Sequence, residues 1–355
     1  MPTGSETPLT FSSTLDTSNP GDIRIILEGG KVNAPTNLRL DEERQSMSWT
    51  APEGVDDQTS YELDYTSGAR RQTQLVHPKT TQASIPNLPT GSYCVTLRAT
   101  KNGNYSATPA PVTITRGLQS SVRLTPISTD GGPDAFGELA VYGNDLFCTS
   151  RIDNYVYRGR VNGNSTIQLS RVSTENGPQV FSGLALRGNT LYCTNSKVDS
   201  SLYVGTVSNN ETIRFTPIPT AGDPKYFAGV AVTMRDATLY FINGATEENA
   251  VYTGGVDGTN TIRLVKTPIS KPAGWFNALT AMGEDLYAVR RTADRKVYMG
   301  KIGTGTINFT EITTTDGPEG FRALAVYGDT FYCVSSADSD NKVYTGSRYR
   351  WVPAT

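Results

Sequence analysis

At 355 residues the chain is long enough for two domains, each with its own core. A hydrophobic fraction of 37%, with 34 Gly, 20 Pro and 18 Tyr, suits short strands joined by tight turns, so the chain is expected to be all-β. Lys and Arg (32) nearly balance Asp and Glu (34), which leaves no basic face for nucleic acid, and no segment reaches the roughly 18–20 apolar residues of a membrane span.

The chain opens on Met1-Pro2-Thr3-Gly4, without the basic and apolar parts of a secretory signal. Residues 1–33 are polar, with two β-like stretches at Pro8 to Leu15 and Asp22 to Leu27. They read as an arm that packs on the domains or adds a strand to a neighbouring subunit.

Residues 34–117 form the next unit. Its markers are Pro35-Thr36-Asn37-Leu38, Ser48-Trp49-Thr50-Ala51-Pro52 and Tyr61-Glu62-Leu63-Asp64-Tyr65. A later run, Ile85-Pro86-Asn87-Leu88-Pro89-Thr90-Gly91-Ser92-Tyr93, leads into Val95, Leu97 and Ala99. This segment resembles a fibronectin type III domain. The resemblance implies a two-sheet sandwich with Trp49 in its core and Tyr93 bonding back to the backbone at a corner. Modules of that kind serve mostly as spacers or in adhesion.

Residues 118–355 repeat. A Tyr-x-Gly element recurs at Tyr157, Tyr203, Tyr252, Tyr298 and Tyr344, at spacings of 46, 49, 46 and 46. A phenylalanine recurs in step at Phe136, Phe181, Phe227, Phe276 and Phe321, each followed by a short apolar strand. Four strands per repeat make a propeller blade, and five repeats make a five-bladed β-propeller. The region begins with a fourth-strand segment, Val122 to Ile127, and ends after a third strand at Tyr344. Its first strand is therefore expected to complete the last blade and hide the open edge. Cys148, Cys193 and Cys333 hold one repeat position, too far apart for a disulfide, and with Cys94 are expected to be reduced, buried hydrophobes.

The chain is poor in catalytic patterns. The one histidine, His77, lies outside the propeller, so neither a zinc site nor a His-dependent nucleophile is supported. Glycoside hydrolysis needs paired carboxylates, and only Glu138 is acidic just after the repeat phenylalanines. Glu138 is instead expected to accept a hydrogen bond from a turn or from Arg322 of the neighbouring blade. No phosphate loop appears, and Asp130-Gly131-Gly132-Pro133-Asp134 has too few carboxylates for calcium. On these grounds no enzymatic activity, metal or cofactor is expected.

Recognition is expected in the loops before the inner strands. Their polar and aromatic residues are Asp130, Asp134, Glu175, Asn176, Gln179, Asp223, Tyr226, Trp275, Asp316 and Glu319. Acid and amide groups beside aromatic faces suit sugar hydroxyls and C–H faces. Gly274-Trp275-Phe276, Leu286-Tyr287-Ala288-Val289 and Val297-Tyr298-Met299-Gly300 resemble the repeat of tachylectin-like lectins. That resemblance implies a five-bladed propeller binding N-acetylated sugars at blade junctions, with Trp275 and its near neighbour Asn277 in a site. Gly-Pro replaces Gly-Trp at Gly132-Pro133, Gly177-Pro178 and Gly317-Pro318.

The expected function is carbohydrate binding or adhesion, with a glycan or glycoprotein as partner and neither nucleic acid nor membrane insertion. The alternative is a structural surface subunit of a larger assembly (virion, tail or filament), anchored to neighbouring subunits through residues 1–33. Either role places the protein outside the cell or on a particle surface. Asn104, Asn164, Asn210 and Asn308 head Asn-x-Ser/Thr triplets.

Overall fold

The computed structural model describes residues 32–354 except 43, 78, 162–164, 196–200, 209–211, 222–226, 234–236, 244–249, 256–260, 271–275, 291 and 304. Every regular element among the described residues is a strand. The chain forms two compact units, one reaching Gly117 and including Arg350–Thr355, the other Leu118–Tyr349.

The first unit packs two sheets over one core. Thr36–Asp41, Ser46–Thr50 and Gln82–Ser84 form the smaller sheet. The larger runs in the order Tyr349–Pro353, Val112–Leu118, Gly91–Lys101, Thr59–Ser67 and Arg70–Val76. Alternation decides which side chains face inward. Tyr61, Leu63 and Tyr65 are buried with Val95, Leu97 and Ala99, and Trp49 meets Tyr61 edge-on with centroids 5.3 Å apart. Tyr93 donates from its hydroxyl to Pro89 O at 3.1 Å. The opposite phase carries charge: Arg71 pairs with Asp64 at 2.6 Å, and Arg98 pairs with Glu62.

Two expectations change here. Cys94 is exposed, because the alternation that buries Tyr93 and Val95 turns it outward, while Cys148, Cys193 and Cys333 are buried free thiols. The propeller also ends before residue 355. The last residues belong to the first unit, where Trp351 is buried edge-on against Tyr93 at 5.6 Å and its amide donates to Gln45 Oε1 at 2.6 Å. Residues 1–31, the bulk of the expected arm, lie outside the described residues.

The second unit is a five-bladed propeller. Its inner strands are Phe136–Tyr142, Phe181–Arg187, Phe227–Val232, Phe276–Met282 and Phe321–Tyr327, each beside the next and the last beside the first. Each continues antiparallel into second and third strands, for example Asp145–Ser150 and Val156–Arg160. In four blades the chain itself supplies the outer strand. In the fifth, Thr125–Asp130 closes antiparallel on Lys342–Ser347, with Thr125 opposite Thr345 and Ser128 opposite Lys342. The opening strand thus completes the last blade.

The marker glycines answer to packing. A Cβ on Gly300 would stand 2.5 Å from Ile307 Cγ2, and one on Gly205 2.6 Å from Ile213 Cγ2. Only a bare Cα lets the branched residue of the outer strand sit there. The marker tyrosines are anchored by an acid four residues earlier: Tyr157 donates to Asp153 at 2.7 Å, Tyr298 to Asp294 at 2.9 Å and Tyr344 to Asp340 at 2.8 Å.

A second set of pairings joins blade to blade. The end of each outer strand runs parallel to the start of the next, as Thr174-Glu175 beside Ile213-Arg214 and Thr313–Thr315 beside Ser121–Arg123. All five junctions carry such a pairing. Together they form a hydrogen-bonded hoop around the rim. At the axis the inner strands leave a void of about 20 Å³, room for about one water, lined mainly by Ala, Leu and Val.

Candidate functional site

The hoop positions two of the expected recognition residues. Asp130 and Glu175 take the parallel rim position, opposite Gln168 and Arg214. Glu175 is ion-paired to Arg214 at 2.9 Å, and Ser270, in the same position of the third blade, hydrogen-bonds Asn308. Asp316 pairs with Arg123 at 2.7 Å. These are exposed pairs, worth little to stability but offering donors and acceptors side by side.

Conformation explains the residue types. Gly131, Asn176 and Asp316 hold one turn position with φ of 69°, 57° and 58°. Gly, Asn and Asp are the residues that tolerate this left-handed region. The Gly-Pro that follows is a plug: Pro133, Pro178 and Pro318 are buried, and a Cβ on Gly317 would stand 2.5 Å from Leu124 Cδ1. Asp134, Gln179 and Glu319 are exposed on the following turn, Glu319 paired with Arg295 at 3.3 Å. The structure therefore spreads the candidate carboxylates and amides over separate junctions and does not gather them into one pocket. Asp223, Tyr226 and Trp275 lie outside the described residues.

Asn277 stands apart from the rim. It follows Phe276 on an inner strand and donates from Nδ2 to Arg322 O on the next. All five inner strands carry a β-bulge just after the marker phenylalanine, which re-aims the side chains there. In the first blade this turns Glu138 into the interior, its amide donating to Thr149 Oγ1 at 2.8 Å. Arg322 Nη2 lies 4.0 Å from Glu138 Oε1, so the expected partner is adjacent but not hydrogen-bonded. Burial pushes the Glu138 carboxyl up to about 7, with Arg322 pulling the other way. Ser182 and Thr194 add a buried hydroxyl pair at 3.1 Å on the second blade.

Two features of the propeller escaped the sequence reading. The acid four before each marker tyrosine was visible in all five repeats, as Asp153, Asp199, Glu248, Asp294 and Asp340. The buried Arg348, 3.7 Å from Asp285 and bonded to the Tyr287 hydroxyl, carried no signal, because its partners come from a different blade.

No family model matches the chain, and no curated protein matches it. Among solved structures it is similar to the glutaminyl cyclase of Myxococcus xanthus, at 13% identity over 66% of this chain and 99% of that one, with a TM-score of 0.45. It is also similar to a gluconolactonase-like protein, at 13% identity over 66% of this chain and 94% of that one (TM-score 0.43). A third is a 6-phosphogluconolactonase-like protein of Bacteroides uniformis, at 13% identity over 80% of this chain and 90% of that one (TM-score 0.35). The expectation that the chain is not an enzyme is corrected by these names, since propeller-like neighbours include enzymes. At such identities and TM-scores the likeness brings no reaction to this chain.

Proposed function

We propose that the protein binds carbohydrate, free or on a glycoprotein, through the rim loops of its propeller, in an adhesive role. The observation that supports this is the repeated junction. Equivalent rim positions present Glu175 with Arg214, Ser270 with Asn308 and Asp316 with Arg123, each pair facing solvent with donors beside acceptors. Planar acceptors and donors of this kind suit sugar hydroxyls, and several weak sites on one rigid ring raise avidity without strong single contacts. The tachylectin-like resemblance points the same way.

The first unit fits a fibronectin type III-like spacer, on the strength of buried Trp49 and the Tyr93 to Pro89 hydrogen bond. A glycan array probed with the intact chain tests the proposal. Binding that free monosaccharide displaces, and that weakens several-fold in the Asp316→Ala, Glu175→Ala double variant, is expected. A blank array with folded protein discards it. Concentration-dependent assembly that is lost on deleting residues 1–33 would instead favour the structural-subunit role.

A further inference from the structure

At the start of the inner strands one pair of side chains breaks the fivefold repeat. Two places after the marker phenylalanine stand Gly183, Gly229, Ala278 and Ala323 in four blades, but Glu138 in the first. One place after it, Gly137, Ser182, Ala228 and Asn277 give way to Arg322 in the fifth. The ring closes between first and fifth blades, so both departures meet at one junction.

The Glu138 side chain is 5% exposed and that of Arg322 17%. Among the described residues no group donates a hydrogen bond to the Glu138 carboxyl. A buried carboxylate without a donor is costly, and a propeller needs no charge where its other blades manage with Gly or Ala. Such a break in an otherwise consistent pattern is where a site is to be sought.

The spacing selects the chemistry. Atoms 4.0 Å apart cannot hydrogen-bond one another, yet one oxygen at roughly 2.8 Å from each bridges them if it both donates and accepts. A hydroxyl is such a group. We propose that Glu138 and Arg322 form a hydroxyl-binding clamp at the junction of the first and fifth inner strands, which takes one hydroxyl of a small polyol or sugar. The guanidinium donates a hydrogen bond to the hydroxyl oxygen, and the hydroxyl donates one to the carboxylate, keeping its proton. Both halves are braced from behind, Glu138 by its amide on Thr149 and Arg322 by Asn277 on its carbonyl. The clamp is separate from the rim loops and stands whether or not they bind glycan.

The test titrates glycerol and the methyl glycosides of glucose, galactose and mannose into the intact protein. The side-chain N–H resonance of Arg322, assigned by its loss in Arg322→Lys, is followed by NMR. A saturable shift with at least one probe is expected, weakened about tenfold in Glu138→Gln as the charged acceptor is lost. Asp316→Asn, which alters only the rim, should leave it unchanged. A shift that does not saturate, or that is equal in wild type and Glu138→Gln, overturns the proposal and leaves a water as the bridging atom. If Glu138→Gln does not fold, Arg322→Gln read at the Glu138 carboxyl carbon replaces it. A blank glycan array with the clamp titration intact discards the rim reading alone, and the reverse discards the clamp alone.

Discussion

Glu138 shows how one residue makes a propeller sensitive to pH. Its carboxyl rises from an ordinary 4.5 to about 7 because burial disfavours the charge more than Arg322 restores it. Folding therefore takes up a proton here, and the stability it brings is full below 4.5 and lost as pH rises through about 7. Glu138→Gln should match wild type in urea unfolding at low pH and exceed it above pH 8 by up to about 3 kcal/mol. Asp153, bound to its marker tyrosine, works in the opposite direction. Burial alone would raise the Asp153 carboxyl, but hydrogen bonds from Tyr157 and Ser150 outweigh it and hold it below the usual range. The stability it brings is present above the ordinary Asp value and lost as pH falls through its lowered one. Asp340→Ala leaves the half-enclosed Tyr344 hydroxyl without its acceptor and should cost about 1–2 kcal/mol. A double-mutant cycle with Tyr344→Phe should recover most of that as coupling.

At the scale of the element, the blades could be read from sequence because packing dictates their markers. The Gly of Tyr-x-Gly must lie under a branched outer-strand residue, so Gly300→Ala should destabilise the propeller by about 1–3 kcal/mol through its clash with Ile307. Ile307→Ala in the same chain should relieve part of that loss. The candidate rim residues were legible as positions, but the backbone demand behind two of them was not. Asn176 and Asp316 stand where the backbone needs positive φ, a demand that looks like a polar recognition motif when read as sequence alone. The final strand was illegible. Tyr349–Pro353 is five residues long with one buried side chain, Trp351, and nothing in so short a run says which unit it joins. Trp351→Ala should destabilise the first unit by about 3–5 kcal/mol, seen as an earlier loss of its core fluorescence on unfolding.

At the scale of the molecule, the propeller's ends are fastened together: Gln119 donates from its amide to Arg348 O at 3.0 Å and from its side chain to Ser347 O. Between those ends lies the whole ring. The strand that seals it is among the first parts of the ring to be synthesised, and its mate among the last; Thr129 and Asn341, hydrogen-bonded in the finished fold, are 212 residues apart. At about 5–20 residues per second a ribosome leaves that strand waiting for roughly 10–40 s with an unpaired edge. A second nascent chain on the same messenger offers the same mate. Swapped pairs should therefore accumulate when refolding is concentrated and vanish when it is dilute, as size-exclusion profiles would show. Yield in the cell then depends on how closely ribosomes follow one another, so sparse initiation, and not extra stability, is what protects the newborn ring.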